Sequence, residues 1–130
     1  MLDTNMASAA LLRRPPPMHQ RLAAVPSAQV CVSVITEAEL RFGLARRPEA
    51  IRLARDVEDF LLRVDILPWN SAAATRYGAL RATLEAMGRT LAALDTLIAA
   101  HALAEDAILV THDRAFARVP GLTVEDWLAA

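Results

Sequence analysis

Two short β-branched runs, each followed by polar residues and a helical pattern, constrain the fold more than any other feature of the chain. The first run is VCVSVI at residues 30–35, and the second is AILVT at residues 107–111. Such runs are typical of strands buried on both faces of a parallel sheet. Thr36 and Glu39 have the spacing of a capping box, which predicts a helix directly after the first run. A strand followed at once by a helix indicates an α/β fold.

The remaining segments extend the same alternation. Helical spacing of apolar residues predicts helices in EAIRLARDVEDFLLRV, AAATRYGALRATLEAM and TLIAAHALAE. Pro48 suits the first turn of the first of these helices. DILPW and LTV are further strand candidates, EDWLAA is a last helical turn, and the three prolines 15–17 predict a loop after a short first helix. The pattern predicts one domain, residues 1–130, with a parallel sheet covered by helices on both faces.

Composition limits the chemistry that the chain can perform. The formal net charge is −1, so contact with a nucleic acid must be local rather than held by a general basic field. All 14 basic residues are arginine, which excludes the lysine-dependent phosphoryl-transfer folds of the haloacid dehalogenase and receiver types. Cys31 is the only cysteine and is expected in the core. With no signal-peptide pattern and no run long enough to span a membrane, we expect a cytoplasmic protein.

Four carboxylates follow the predicted strands or open a helix nearby. Asp3 comes after a first strand of only two apolar residues, Glu39 lies in the first turn after VCVSVI, Asp95 opens an apolar helix and Asp113 follows AILVT. Ligands of open parallel sheets bind at the carboxyl ends of the strands. Each acid alone has a simpler explanation, as a helix cap, a turn residue or part of a frayed terminus. Four independent caps, however, have no reason to gather at one sheet edge.

Clustered carboxylates require a cation. Two like charges about 4 Å apart repel by roughly 4 kcal/mol at an effective dielectric constant of about 20. Oxygen ligands without a histidine or cysteine cluster favour Mg²⁺ or Mn²⁺ over zinc. Such a site lowers the pKa of a bound water and holds the oxygens of a phosphodiester during in-line displacement. The four acids therefore predict a metal-dependent nuclease.

Five stretches, in this order and over nearly the whole chain, resemble the PIN-domain ribonucleases and, within them, the VapC-type toxins of type II toxin–antitoxin modules. They are MLDTN, SVITEAELRFGL, LDTLIAAHAL, LVTHDRAF and VPGLTVEDW. The resemblance implies a three-layer α/β/α sandwich with a central parallel sheet. It also implies cleavage of RNA, with tRNA a frequent choice, by a water activated by Mg²⁺ or, as a substitute, Mn²⁺.

The resemblance also implies roles for individual residues. It assigns the catalytic metal ligands as Asp3, Glu39, Asp95 and Asp113. Asn5 and Thr111 are similar to the family's polar residues that orient these acids. Glu37 is the rival of Glu39, but the family acid is followed directly by leucine, as Glu39 is by Leu40. Glu37 is therefore expected to be a solvated helix residue.

The family further implies a homodimer and a cognate antitoxin whose C-terminal segment lies over the pocket. Four residues around the prolines are candidates for an antitoxin-binding groove: Leu11, Leu12, Met18 and Leu22. Arg89 is the first candidate for a contact with the RNA, although most arginines are expected to be surface residues. His101 and His112 are assigned no catalytic role, because His101 turns away from Asp95 on a helix and His112 alternates with Asp113.

A second function remains open, namely a PIN-like module that binds RNA or protein without cutting. Loss of one or more acids would indicate such a module, and all four acids are present here.

Overall fold

The computed structural model describes residues 1–128, and within them six α-helices and four short strands. The helices are α1 (Thr4–Leu12), α2 (Pro16–Ala24), α3 (Val34–Ala45), α4 (Ile51–Arg63), α5 (Ser71–Ala86) and α6 (Ala93–Ala104). The strands are β1 (Cys31–Ser33), β2 (Asp65–Leu67), β3 (Leu109–Val110) and β4 (Val124–Glu125). Two short 3₁₀ helices lie at Ser27–Gln29 and Arg114–Arg118. None of the helices in residues 1–128 has the length and apolar character needed to cross a membrane.

Leu2 joins two pairs of parallel strands into one sheet. β1 pairs with β2, and β3 pairs with β4. Leu2 forms parallel bridges to Val32 of β1 on one side and to Val110 of β3 on the other. The N–H of Leu2 donates to the carbonyl of Cys31 at 2.9 Å, and the N–H of Asp3 donates to that of Val110 at 3.1 Å. The order is therefore β2, β1, Leu2, β3, β4, with the short first strand predicted from the sequence at the centre.

Helices cover both faces of this sheet, and each face has its own core. Helices α1 to α4 cover one core, which includes Leu2, Met6, Met18, Val32, Val57, Phe60 and Val110. Helices α5 and α6 cover the other, which includes Met1, Leu84, Ile98, Leu109 and Phe116. Successive strand residues point to opposite faces, so Met1 and Leu2 enter different cores. The three-layer α/β/α architecture with a central parallel sheet is confirmed.

The start of α3 differs from the prediction. β1 ends at Ser33, and the Ser33 hydroxyl oxygen accepts a hydrogen bond from the N–H of Ile35 at 3.1 Å, so the helix begins at Val34. The capping box between Thr36 and Glu39 is therefore wrong. Because Ser33 already caps the helix, Thr36 lies inside the first turn, and Glu39 is not needed to complete a cap.

Two other expectations about helix boundaries are wrong. The triple proline does not mark only a loop, because Pro16 is the first residue of α2, a position that suits proline because its missing N–H has no partner there. Pro48 precedes α4, which begins at Ile51. The predicted turn in EDWLAA lies partly outside the described residues, and Trp127 and Leu128 form a bend.

Candidate active site

Asp3 follows Leu2 directly and therefore lies at the carboxyl end of the short central strand, where its side chain is buried. It is 5% exposed. The residue before it, Leu2, forms the β-bridges, and the Asp3 side chain caps α1, since Oδ1 accepts a hydrogen bond from the N–H of Met6 at 2.8 Å. The same carboxylate therefore ends the strand and begins the helix, which fixes its position from both directions.

The surroundings of Asp3 disfavour the ionised form of its carboxyl group. Burial raises the pKa of Asp3, the Thr111 side chain and the Met6 N–H lower it through hydrogen bonds, and the charges of Asp113 and Glu39 raise it again. The net result is a raised pKa. A cation beside this carboxylate would act in the opposite direction.

Glu39 lies on α3, half-buried, and is held by a threonine from the start of the chain. The Thr4 hydroxyl donates to Glu39 Oε1 at 2.5 Å, and Thr4 Oγ1 also lies 3.2 Å from Thr36 Oγ1. Sequence reasoning missed both threonines. The available signal was their spacing: Thr4 adjoins Asp3, and Thr36 precedes Glu39 by three residues, on the same face of the helix.

Asp95 lies in the first turn of α6 and is half-buried. Burial raises its pKa most, and the charges of Asp113, Asp3 and Glu39 raise it further. This mutual influence means that the structure brings the four acids near enough to repel one another.

Asp113 is exposed and caps the 3₁₀ turn Arg114–Arg118. Its Oδ1 accepts a hydrogen bond from the N–H of Ala115 at 2.9 Å, and its own N–H donates to Thr111 Oγ1 at 3.0 Å. The Thr111 side chain therefore contacts the Asp3 carboxylate and the backbone of Asp113. Its predicted role in orienting the acids stays a prediction.

Other candidates lie outside this arrangement. Asn5 is exposed on α1, and within residues 1–128 its side chain makes no hydrogen bond to the four acids. Arg89 is exposed in the link between α5 and α6. Glu37 forms an ion pair of 3.0 Å with Arg41, one helical turn further along α3.

The donor chemistry of the site fits a hard cation, although the acids do not form a ready-made cage. Across the described part of the chain, no three histidine, cysteine, aspartate or glutamate side chains are arranged to hold a metal ion. All four candidate ligands are oxygen donors, which suits Mg²⁺ or Mn²⁺ rather than zinc. The two histidines near these segments have other partners: His101 contacts Ser33, and His112 contacts Asp126.

A separate groove of about 740 Å³ lies between α1, α2 and α4. Its apolar lining includes Leu11, Leu12, Leu22, Leu53 and Phe60. Its charged lining consists of Arg13, Arg14, Arg52, Arg63, Asp56 and Asp59, with His19 beside them. Met18, predicted to lie in such a groove, is instead fully buried in the core, because α2 packs that side chain against the sheet.

Comparison with known proteins identifies a consistent set of relatives. The family model described as PIN domain matches residues 1–122. The chain is similar to the tRNA(fMet)-specific endonuclease VapC of Shigella flexneri, with 36% identity over 98% of this chain and 96% of that protein. It is also similar to Ribonuclease VapC2 of Haemophilus influenzae, with 37% identity over 98% and 97% of the two chains. In the crystal structure of VapBC2 from Rickettsia felis bound to a promoter DNA fragment, one chain matches with a TM-score of 0.91 and 32% identity, covering 98% and 97% of the two chains.

Proposed function

The chain belongs to the PIN-domain family, among its VapC-type members, and from this premise we propose that it is an endoribonuclease toxin neutralised by an antitoxin. The proposed reaction is hydrolysis of RNA phosphodiester bonds that depends on Mg²⁺ or Mn²⁺. We further infer that residues 1–130 are one domain and that the protein is a homodimer in the cytoplasm.

One observation carries this proposal. The Asp3 carboxylate is almost fully buried at the carboxyl end of the central strand, and its pKa is raised first by this burial and then by the charges of Asp113 and Glu39. A fold has no structural need for several acids whose charges oppose one another at one sheet edge. A divalent cation that they bind together would relieve the repulsion.

The proposed roles follow from the contacts of each side chain. Four carboxylates would hold the ion: Asp3, Glu39, Asp95 and Asp113. The ion, when bound, lowers the pKa of a nearby water and stabilises negative charge on phosphate oxygens. Thr4 orients Glu39 through its hydroxyl, and Thr111 orients the Asp3 carboxylate and holds the backbone of Asp113. Arg89 is proposed to contact a phosphate of the RNA, since a guanidinium pairs bidentately with phosphate.

The RNA target is proposed from the relatives. The Shigella flexneri protein is named as specific for tRNA(fMet), and we propose a tRNA as the substrate here. Sequencing of RNA ends after brief expression tests both the activity and the target. New ends in one tRNA support the proposal, and an unchanged pattern of ends contradicts it.

Variants with a matched control separate the site from the rest of the fold. Asp3→Asn and Asp95→Asn are expected to abolish cleavage by the purified protein in Mg²⁺ or Mn²⁺, and a chelator should have the same effect on the parent. Glu37→Gln is the control, because Glu37 lies on the same helix as Glu39 but pairs with Arg41. Equal cleavage by all three variants would show that the acids are not the active site.

The antitoxin is proposed to occupy the groove between α1, α2 and α4. Its apolar lining suits a hydrophobic segment of a partner, and a solved structure similar to this chain is a toxin–antitoxin complex from Klebsiella pneumoniae. Leu12 is 50% exposed in this groove, whereas Leu62 is 84% exposed on α4 and does not line it. Leu12→Asp should prevent co-purification with the antitoxin while RNA cleavage persists, and Leu62→Asp should change neither.

The alternative function is a PIN-like module that binds RNA or protein without cutting. One observation favours it: residues 1–128 contain no group of acids or histidines already arranged to hold a metal. RNA binding by the parent without cleavage in either metal would select this alternative.

A further inference from the structure

A buried histidine joins the two helices that carry Asp95 and Glu39. His101 lies on α6 and is fully buried, and its Nδ1 is 2.7 Å from the hydroxyl oxygen of Ser33. Ser33 is also fully buried, ends β1 and caps α3. A single polar contact therefore links the body of α6 to the first turn of α3.

The hydrogen-bond partners determine which atoms carry the protons. The Ser33 oxygen already accepts the N–H of Ile35 at 3.1 Å, so its own hydrogen is free to donate to Nδ1. If Nδ1 carried the proton instead, the buried serine hydrogen would lose its acceptor, which costs free energy.

The surroundings of Nε2 agree with this assignment. Among residues 1–128, Nε2 has no hydrogen-bond partner, and the carboxylate oxygen Glu105 Oε1 lies 3.8 Å from it. A carboxylate oxygen accepts hydrogen bonds, so a proton on Nε2 faces an acceptor. Burial lowers the pKa of His101, with Glu105 and Pro68 acting in the opposite direction, and the ring is neutral.

We propose that His101 is a positioning residue whose hydrogen bond from Ser33 sets the separation of α3 and α6, and with it the separation of Glu39 and Asp95. The proposal rests on the proposed function, in which those two acids bind the same ion. An apolar residue would fill the same space without a polar group to satisfy. The directional bond to Ser33 adds what an apolar residue lacks, namely a fixed register between the two helices.

Two amide substitutions separate the hydrogen bond from the packing. In His101→Asn the side-chain amide lies at the same distance from the backbone as Nδ1 of the histidine, so its oxygen can still accept a hydrogen bond from the Ser33 hydroxyl. The longer side chain of His101→Gln carries its amide towards the position of Nε2 and leaves the Ser33 hydroxyl without its acceptor. Both variants remove the ring, so loss of packing affects both, whereas the contact with Ser33 survives in one.

The measurement is the dissociation constant for Mn²⁺, from titrations that follow the electron paramagnetic resonance signal of the free ion. His101→Gln is expected to weaken Mn²⁺ binding about fivefold, the ratio that corresponds to the net contribution of one hydrogen bond. His101→Asn should stay within about twofold of the parent. Equal weakening in both variants, or no change in either, overturns the proposal.

A second measurement compares the two His101 variants in the absence of metal. Amide hydrogen exchange in the first turn of α3 should be faster in His101→Gln than in His101→Asn, and ¹⁵N resonances of the ring should place the proton on Nε2. Failure of the parent to bind Mn²⁺ would reject the proposed metal site but not the positioning role. Unchanged exchange in both variants, or a proton on Nδ1, would reject the positioning role itself.

Discussion

Replacing Asp3 by asparagine should make the metal-free protein more stable while it removes activity. Asparagine is as good a helix cap as aspartate, so the hydrogen bond from the Met6 N–H can be kept. What disappears is a buried negative charge whose pKa is raised by burial and by the neighbouring charges of Asp113 and Glu39. The variant therefore loses a destabilising contribution without losing the contact that begins α1.

The size and sign of the effect follow from proton linkage. Each unit by which the folded pKa exceeds the unfolded one destabilises the ionised state by about 1.36 kcal/mol. We expect a gain on the order of 1 kcal/mol in the free energy of unfolding at pH 7, or about 3–5 °C in Tm for a domain of this size. The folded state binds more protons than the unfolded state between the two pKa values, so the parent loses stability as pH rises through that range. The advantage of the variant should shrink as pH falls towards about 4, the ordinary pKa of aspartate.

Thermal unfolding in the presence of a chelator, between pH 4 and pH 8, tests this reasoning. Adding Mg²⁺ or Mn²⁺ should reverse the order, since an ion at about 100 times its Kd stabilises the folded parent by about 2.7 kcal/mol. Asp59→Asn makes the same chemical change at an exposed site on α4 and should shift stability by no more than about 0.5 kcal/mol. A chelated Asp3→Asn protein less stable than the parent at pH 7 would refute the argument.

Three further changes test individual contacts. Thr4→Val removes the hydroxyl that holds Glu39 and should lower kcat/KM about tenfold with little change in Tm, measured on a defined RNA; unchanged kinetics would remove Thr4 from the site. Trp69→Phe loses the 3.0 Å bond from the indole N–H to the Leu97 carbonyl and should destabilise by about 1 kcal/mol in urea unfolding. Arg41→Ala breaks two exposed ion pairs and should cost at most about 1 kcal/mol, an effect that salt diminishes, with cleavage unaffected.

The sequence predicted the layer architecture because its strongest patterns are local. Two β-branched runs became β1 and β3, and the acids that follow the strands lie near one sheet edge. Parallel pairing makes this edge common to all strands, so positions along the chain translate directly into proximity.

Features that depend on competing or distant partners were not predictable in the same way. Ser33 and Thr36 are both good helix caps, and only the end of β1 decides that Ser33 is used. The contact of Thr4 with Glu39 joins residues 35 positions apart, which no local pattern encodes. The sequence also could not tell whether Met18 faces the groove or the core, because that depends on how α2 packs.

The bridges of Leu2 also impose an order on events during synthesis. One of the two strands beside Leu2 contains Val110, and the Met1 amino group donates to the Ile108 carbonyl 107 residues later. Folding that depends on such distant pairing waits until the later segment has emerged. The edge that holds Asp3 therefore cannot be complete on a nascent chain that is still missing its last strands. The candidate acids can therefore come together only after the segment that carries Val110 has been made and has paired with Leu2.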